Sequence, residues 1–419
     1  ASAILAHQAA RMLDDPGVCP GEDVSVCRLA ERLGVSDRHL RRIFDAQFGV
    51  APMQYLQTHR LLTAKQLQAD TDLPIQQVAL TSGFSSVRRF NAAFLAHYRL
   101  NPTALRRAGS PPSQGSASVR LAYRPPYDTS AMIAFFQRRQ IDGVEWVGNC
   151  KQAGSVHVAR TLRLRQAGQN YSGWFLARFD ARSPLLHLQV SDSLRQVLPQ
   201  VIRRVRHCFD LDADPHAIHA VLHTRFPHGD GLRVPGSPDG FELAVRAILG
   251  QQITVAAART LAQRLVEQWG DSITTPHAQL SRLFPTAQAL ASASADTLGA
   301  LGVVRQRQGA IQALARAVAN GQLNLSAGVD ISATMAALKE LPGIGDWTAH
   351  YIAMRALRWP DAFPSGDVAL HKALGLQEQA HPARAAEQTS HNWRPTRDMA
   401  EVHVWGDLPT TPTRSSQGE

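Results

Sequence analysis

The chain is poor in cysteine and nearly devoid of lysine. Its four cysteines, Cys19, Cys27, Cys150 and Cys208, form no CxxC pair. This spacing argues against a structural zinc or iron–sulfur cluster and provides no disulfide framework, so a reducing cytoplasm is the expected compartment. Only four of the 44 basic residues are lysine, and the rest are arginine. No apolar run approaches the roughly 18 residues of a membrane-spanning helix, so no membrane partner is expected. The opening ASAILAHQAARML lacks a basic start, an apolar block and a cleavage site. It reads as an amphipathic helix, not a signal peptide.

Hydrophobic residues make up 44% and charged residues 19%, enough to bury a core, and wholesale disorder is excluded. At 419 residues the chain is too long for one ordinary domain. The net charge of +10 favours polyanionic partners. A genome-wide bias towards arginine would give the same charge, so charge permits nucleic acid without proving it. One composition break, SPPSQGSAS at Ser110–Ser118, reads as a linker over 110–118. The end of the chain, LPTTPTRSSQGE from Leu408, is similar, and 409–419 reads as a disordered tail.

The region before the linker holds an internal repeat: VCRLAERLGVSDRHLRRIF, then IQQVALTSGFSSVRRFNAAF. Each copy has Ala, then Gly four positions on (Ala30 with Gly34, Ala79 with Gly83), then Ser36 or Ser85 two positions later. Apolar pairs follow at i and i+4, Leu40 with Phe44 and Phe90 with Phe94. A small Ala lets two helices cross closely, Gly supplies a left-handed turn, and Ser caps the second helix. This is helix-turn-helix logic, and the second helix would enter a major groove. The groove-facing residues expected in copy one are Ser36, Arg38, His39, Arg41 and Arg42, with Asp37 beside them. In copy two they are Ser85, Arg88, Arg89 and Asn91, with Ser86 beside them. Arg and Asn read guanine and adenine edges. One such copy fits an ordinary helical hairpin with a solvated basic face equally well. Two copies with matching offsets favour DNA.

With GFSSVRRFNAAF and a joining helix at Met53–Ala69, residues 1–109 resemble the DNA-binding domain of AraC-type regulators, most of all that of Ada-like methylation-response proteins. Double-stranded promoter DNA, and RNA polymerase through this domain, are the partners the resemblance implies. The methyltransferase motif of that group, Pro-Cys-His-Arg, is absent. Cys208 lies in RHCFD and reads as a core cysteine.

After the linker, five short extended runs and one helix, TSAMIAFFQRRQ, predict an α+β unit with an antiparallel sheet over 119–191. Nothing in this unit reads as catalytic, and Tyr171 and Trp174 read as sheet residues. From Asp192 the periodicity is helical, including the long stretch DGFELAVRAILGQQITVAAARTLAQRLVEQWG. It leads to MAALKELPGIGDWTAHYIAMRAL. In LPGIG, Gly343 and Gly345 flank Ile344 between two helices. Such a hairpin turns tightly, buries the isoleucine and aims backbone N–H groups outward at the next helix start, a phosphate site needing no charged side chain. Twenty residues after Trp347 comes Asp367, in FPSGDVALHKAL. A lone Asp after Ser-Gly is ordinarily a helix N-cap. The hairpin upstream gives it a second reading.

Hairpin, Pro, small residues and one Asp together resemble the helix-hairpin-helix base-excision glycosylases. Within them, residues 119–410 are similar to the 3-methyladenine DNA glycosylase II (AlkA-like) family. The match rests on RPPYD, LRVPGSPDGFELAVRAILGQQITVAAA, LPGIGDWTAHYIAMRAL, FPSGD and NWRPTRDMAEVHVW. The resemblance implies that Asp367 is the catalytic carboxylate and that Trp347, Tyr351 and Trp405 line a base pocket. It further implies that Gly343, Ile344 and Gly345 grip a DNA phosphate and that Gln251 and Gln252 form the wedge filling the gap left by a flipped nucleotide. No cofactor and no metal ligand are implied. The fold expected is mainly α with an α+β subdomain: two helix-turn-helix units, an antiparallel sheet domain, then an all-α helix-hairpin-helix glycosylase domain over 192–408.

The chemistry fits these residues. An N3- or N7-alkylated purine is cationic and leaves readily, so the enzyme must flip the nucleotide and stabilise an oxocarbenium-like sugar. One carboxylate suffices for that. Trp347 and Tyr351, four apart, share a helix face and attract a cationic base, although such a pair is more often core. Strand-cutting relatives use a lysine just after the hairpin. Here Trp347 holds that place, while Lys339 precedes the hairpin and Lys372 follows Asp367. A monofunctional, nucleoid-associated glycosylase of alkylated bases is therefore expected, fused to a regulator of the alkylation response. The alternative is a non-catalytic DNA-binding transcription regulator, against which Asp367, Trp347 and Tyr351 argue. An adenine-excising relative usually carries a four-cysteine iron–sulfur cluster, which this chain lacks.

Overall fold

A computed structural model of the chain describes residues 2–14, 25–71, 73–99, 101–102, 116–149, 156–166, 168–326 and 328–407. The opening helix, Ser2–Asp14, lays Ala6, Ala9 and Leu13 on the first helix-turn-helix unit. In that unit Ser25 caps Val26–Arg32, Gly34 turns the chain at φ +66°, and Ser36 caps Asp37–Phe48. Ala30 is buried at the crossing, with Leu40 and Phe44 beneath it. Pro52 opens the joining helix Pro52–Asp70, where its missing N–H costs nothing.

The second unit pairs Ile75–Thr81 with Val87–Tyr98 about Gly83 at φ +88°. Its cap corrects the sequence expectation. Ser86, not Ser85, accepts the Arg89 N–H at 3.2 Å. The extra residue after Gly83 moves the helix start by one, and Ser85 instead accepts from the Arg89 guanidinium at 3.4 Å.

The sheet has five antiparallel strands, β1 (Ser116–Ala122), β2 (Glu145–Asn149), β3 (Val156–Gln166), β4 (Gln169–Phe179) and β5 (Leu185–Ser191), in the order β1-β5-β4-β3-β2. β1 begins inside the stretch read as linker. Ser116, Ala117 and Ser118 pair with Ser191, Val190 and Gln189 of β5, because a free strand edge satisfies their backbone groups whatever their side chains. The rest of that stretch and the tail 409–419 lie outside the described residues.

Both sheet faces are covered. Phe175, Ala177 and Phe179 of β4 join one apolar cluster with Val201 and Val205 of helix Leu198–Cys208. Trp174 points the other way, against Leu280. The first cluster also contains Phe90, Phe94 and Val78 of the second helix-turn-helix unit. Thr71 bridges to Val119 of β1, so regulator and sheet share a core. Cys208 is buried there as expected, and burial pushes its thiol up to about 12.

The long helical stretch near 240–270 is two helices, Gly240–Leu249 and Val255–Trp269. Gly250 stops the first, and Thr254 caps the second through the Ala257 N–H at 3.2 Å. A buried charge network fixes Gly240–Leu249 to the sheet. Arg160 of β3 bonds Glu145 of β2 at 2.8 Å and Glu242 at 2.5 Å, and Arg246 reaches Glu145 at 3.0 Å and Glu242 at 2.8 Å. Burial works to raise Glu145, but Arg246 and Arg160 outweigh it and hold its carboxyl below the usual range. Two carboxylates balance two guanidiniums, and removing Arg160 leaves an unpaired buried negative charge. Arg160→Met should therefore lower stability by about 3–5 kcal/mol, read from the urea midpoint and slope. A loss below about 1 kcal/mol, the size of an exposed pair, would mean the network is dispensable.

Candidate active site

Helix Ile331–Lys339 leads into the hairpin, and Asp346–Arg355 leaves it. Gly343 takes φ +77°, and a Cβ there would lie 2.9 Å from the Ala310 Cβ. Ile344 is buried in the core. Gly345 differs from Gly343: its φ of −90° is open to any residue, and a Cβ would meet nothing within 4 Å. It is exposed at the start of Asp346–Arg355, where the first-turn N–H groups lack intrahelical acceptors.

The expected wedge divides into two roles. Gln251 donates from Nε2 to the Gly343 carbonyl and to Thr348 Oγ1, both at 2.9 Å. Its side chain is thus a latch between the turn Gly250–Thr254 and the hairpin, and Arg307 holds its carbonyl. In this structure the Gln251 side chain is turned toward the hairpin. Gln252 alone is exposed, at φ +56°, on the tip of that turn.

Asp367 is both the helix cap and a partner of the aromatic face. Its Oδ1 accepts from the N–H groups of Ala369 at 2.7 Å and Leu370 at 3.2 Å, starting helix Val368–Ala373. Its Oδ2 accepts the Trp347 indole N–H at 3.0 Å. Three donors fix a half-buried carboxylate in one orientation. The Trp347 and Tyr351 rings stack with centroids 5.2 Å apart and planes 19° apart.

Beyond Tyr351 the wall continues into residues the sequence reading missed. Arg355 donates to the Tyr351 hydroxyl and to the Pro235 carbonyl at 2.6 Å. Its guanidinium lies 4.7 Å from the Phe135 ring, and Arg139 lies 3.8 Å from the same ring. Burial lowers Arg139 to about 10. Burial alone would raise the Tyr351 phenol, but Arg355 and Arg139 reverse this and hold it below its usual value. The spacing Trp347, Tyr351, Arg355 was a readable signal for Arg355. Phe135 and Arg139 come from helix Thr129–Arg139 and gave none. Trp405 belongs to helix Arg397–Asp407, and its side chain lies outside the described residues.

On the regulator, Ser36, Arg38, Arg41, Arg42, Ser85, Arg88, Arg89 and Asn91 are exposed and His39 is half-buried. Arg42 bonds the His39 ring at 3.1 Å.

Two DNA-handling modules on one chain place it in a class: helix-turn-helix proteins carrying a helix-hairpin-helix base-excision module. Known proteins agree with that assignment. Residues 29–108 match a helix-turn-helix domain, 118–239 the AlkA N-terminal domain, and 245–396 the HhH-GPD superfamily of base excision DNA repair proteins. The chain is 35% identical over 398 residues to a probable bifunctional transcriptional activator/DNA repair enzyme AlkA of Mycobacterium tuberculosis, covering 91% of this chain and 77% of that one. It is 33% identical over 285 residues to DNA-3-methyladenine glycosylase 2 of Escherichia coli, covering 68% of this chain and 95% of that one. The fold matches that of 3-methyladenine DNA-glycosylase from Archaeoglobus fulgidus with a TM-score of 0.56 at 18% identity, over 68% of this chain and 96% of that one. The chain belongs to the AlkA family of bifunctional transcriptional activators and DNA repair enzymes.

The two hairpin glycines should respond differently to alanine. Gly343→Ala combines a positive φ with a close contact and should lose roughly 1–3 kcal/mol of stability. Gly345→Ala should keep the wild-type thermal midpoint, because its φ is ordinary and a Cβ there meets nothing within 4 Å, and should weaken duplex binding if the neighbouring first-turn N–H groups hold a phosphate. Calorimetry paired with a DNA titration on both variants checks this. Unchanged DNA affinity in Gly345→Ala would count against a phosphate contact at the start of Asp346–Arg355.

Proposed function

We propose that this chain releases alkylated bases of the 3-methyladenine and 7-methylguanine type from duplex DNA, and that its regulator half reads a promoter of the alkylation response. The observation that carries the reading is Asp367, held by Trp347 at 3.0 Å and by two helix N–H groups beside the hairpin. Exposed first-turn amides of the hairpin hold a backbone phosphate. Gln252, on its positive-φ tip, enters the stack as the target nucleotide leaves it. Trp347 and Tyr351, with Trp405 as a third wall, receive the cationic base, each contact worth about 1–2 kcal/mol when desolvated. As the glycosidic bond lengthens, positive charge grows on the sugar, and the Asp367 anion faces it without reorganising. The departing base keeps the bonding electrons and becomes neutral. A water whose proton Asp367 can accept then completes hydrolysis at the sugar carbon.

The reaction ends at an intact abasic strand. An indole cannot form a Schiff base, and Trp347 stands where a lysine would be needed. Lys339 is paired with Asp346. Asp367→Asn should keep its fold, since an amide oxygen still caps Val368–Ala373, and should keep DNA binding while losing base release. With wild-type enzyme and a lesion-bearing duplex, strand cleavage should appear only after hot alkali, and borohydride should trap no protein–DNA adduct. Near-wild-type excision by Asp367→Asn would end the carboxylate assignment. A trapped adduct would end the monofunctional one.

The regulator half reads double-stranded promoter DNA through the two exposed helices, with RNA polymerase as its protein partner. Because its second unit shares a core with the sheet, the full chain is the proper test object. Arg42→Ala or Arg89→Ala should weaken binding to the cognate promoter by roughly 1–3 kcal/mol if either side chain reads a base edge. Base release from non-promoter DNA should be unchanged. A salt-insensitive titration of the promoter would count against this reading.

A further inference from the structure

The segment PHAIHAVLHTRFPHGDG lies between the sheet domain and the glycosylase helices and takes no part in the chemistry above. Asp214 caps helix Pro215–Leu222, with Pro215 at its first turn. His219 and His223 sit four residues apart, hence on one face, and their rings stack at 4.1 Å. Phe226 is buried, and the chain then doubles back through Gly229 and Gly231, the latter at φ +94°. That reversal brings Asp230 against both imidazoles. His219 Nδ1 lies 3.0 Å from Asp230 Oδ1, and His223 Nδ1 lies 3.2 Å from Oδ2. The three donor atoms all fall within 4.8 Å of one another.

From these residues we propose a divalent metal site, with zinc the best-suited ion, held by His219, His223 and Asp230. Two arguments support it. A tetrahedral zinc with bonds of about 2.0–2.1 Å sets its ligand atoms roughly 3.3–3.4 Å apart. The two carboxylate-to-imidazole separations, 3.0 and 3.2 Å, stand near that spacing. Two imidazoles and a carboxylate are borderline nitrogen and oxygen donors, a set suited to zinc, cobalt or nickel and poorly suited to calcium or magnesium.

The side chains are 49%, 44% and 36% exposed, so water completes the shell and the ion exchanges with solvent. A neighbouring cavity of about 330 Å³, lined in part by His219 and Asp230, gives that water room. The sequence alone carried an expectation of no metal ligands. Nothing in it shows that the chain reverses at Gly229–Gly231.

The position assigns the ion a structural role. Immediately after Asp230, the Gly231 carbonyl accepts the Asp128 N–H at 2.7 Å, at the start of helix Thr129–Arg139. Arg233 then donates to the carbonyls of Arg124 at 2.9 Å and Pro126 at 2.7 Å. Gly229 abuts His403, leaving no room for a Cβ. A metal would therefore tie helix Pro215–Leu222 to the loop that seats the helix carrying Phe135 and Arg139.

The test uses the full chain, stripped with chelator and dialysed, with zinc or cobalt chloride as the sole probe. Wild type should bind one equivalent of zinc per chain. Cobalt should give visible absorption bands of a four-coordinate nitrogen and oxygen site. Zinc should raise the thermal midpoint in proportion to site occupancy. His219→Ala/His223→Ala should lower zinc affinity about 100-fold or more and abolish the midpoint shift, and Asp230→Asn should weaken binding while leaving the loop shape intact. Circular dichroism checks that the variants are folded. Wild type that binds no stoichiometric zinc overturns the site. So does equal binding by wild type and the double variant, which would assign the ion to scattered surface histidines.

Discussion

The arrangement of this chain depends on one buried set of charges. Arg160 lies between Glu145 and Glu242, and Arg246 closes the set while also reaching the Arg139 carbonyl. Two strands and two helices are thereby locked at a point where water cannot substitute for a missing partner. Such a group is costly to desolvate and stabilises little unless complete. Its value is geometric: it sets the direction in which helix Gly240–Leu249 leaves the sheet, and that helix ends at the turn bearing Gln251 and Gln252.

From that turn the site is assembled by contact. Gln251 couples the turn to the hairpin, the hairpin starts the helix that presents Trp347 and Tyr351, and Trp347 holds Asp367. Each link is a hydrogen bond between segments far apart in the chain. A shift of the turn is therefore felt at the carboxylate. This is the pre-organisation that electrostatic stabilisation of a developing cation needs. The capping role of Asp367 follows the same logic. The helix N–H groups that it caps also fix its orientation toward Trp347, so capping is compatible with the catalytic role proposed for it.

The regulator is built into the enzyme. Phe90 and Phe94 are fully buried in a cluster shared with the sheet, while the first unit keeps its own core under helix Ser2–Asp14. Separate apolar clusters would have allowed the halves to drift apart. A shared one fixes the second DNA-reading helix relative to the sheet.

Much of this was legible in the sequence because local physics wrote it there. Helix-turn-helix units follow from Ala, Gly and Ser at fixed offsets, strands from alternation, and the hairpin from Gly343 and a buried Ile344. Asp367 and its aromatic neighbours were singled out through the family resemblance that follows the hairpin. What tertiary structure alone decided is what depends on segments meeting. The Gln251 side chain bonds the hairpin because the Gly343 carbonyl comes within 2.9 Å of it. Ser116–Ser118 is strand because β5 offers it an open edge. Arg139 and Phe135 extend the cluster begun by Tyr351 because Arg355 and Arg139 both pack on the Phe135 ring. His219, His223 and Asp230 converge because two glycines turn the loop back on its helix. Periodicity and caps act over a few residues and can be read along the chain. Pairing across tens of residues is set by packing, which a one-dimensional pattern does not contain.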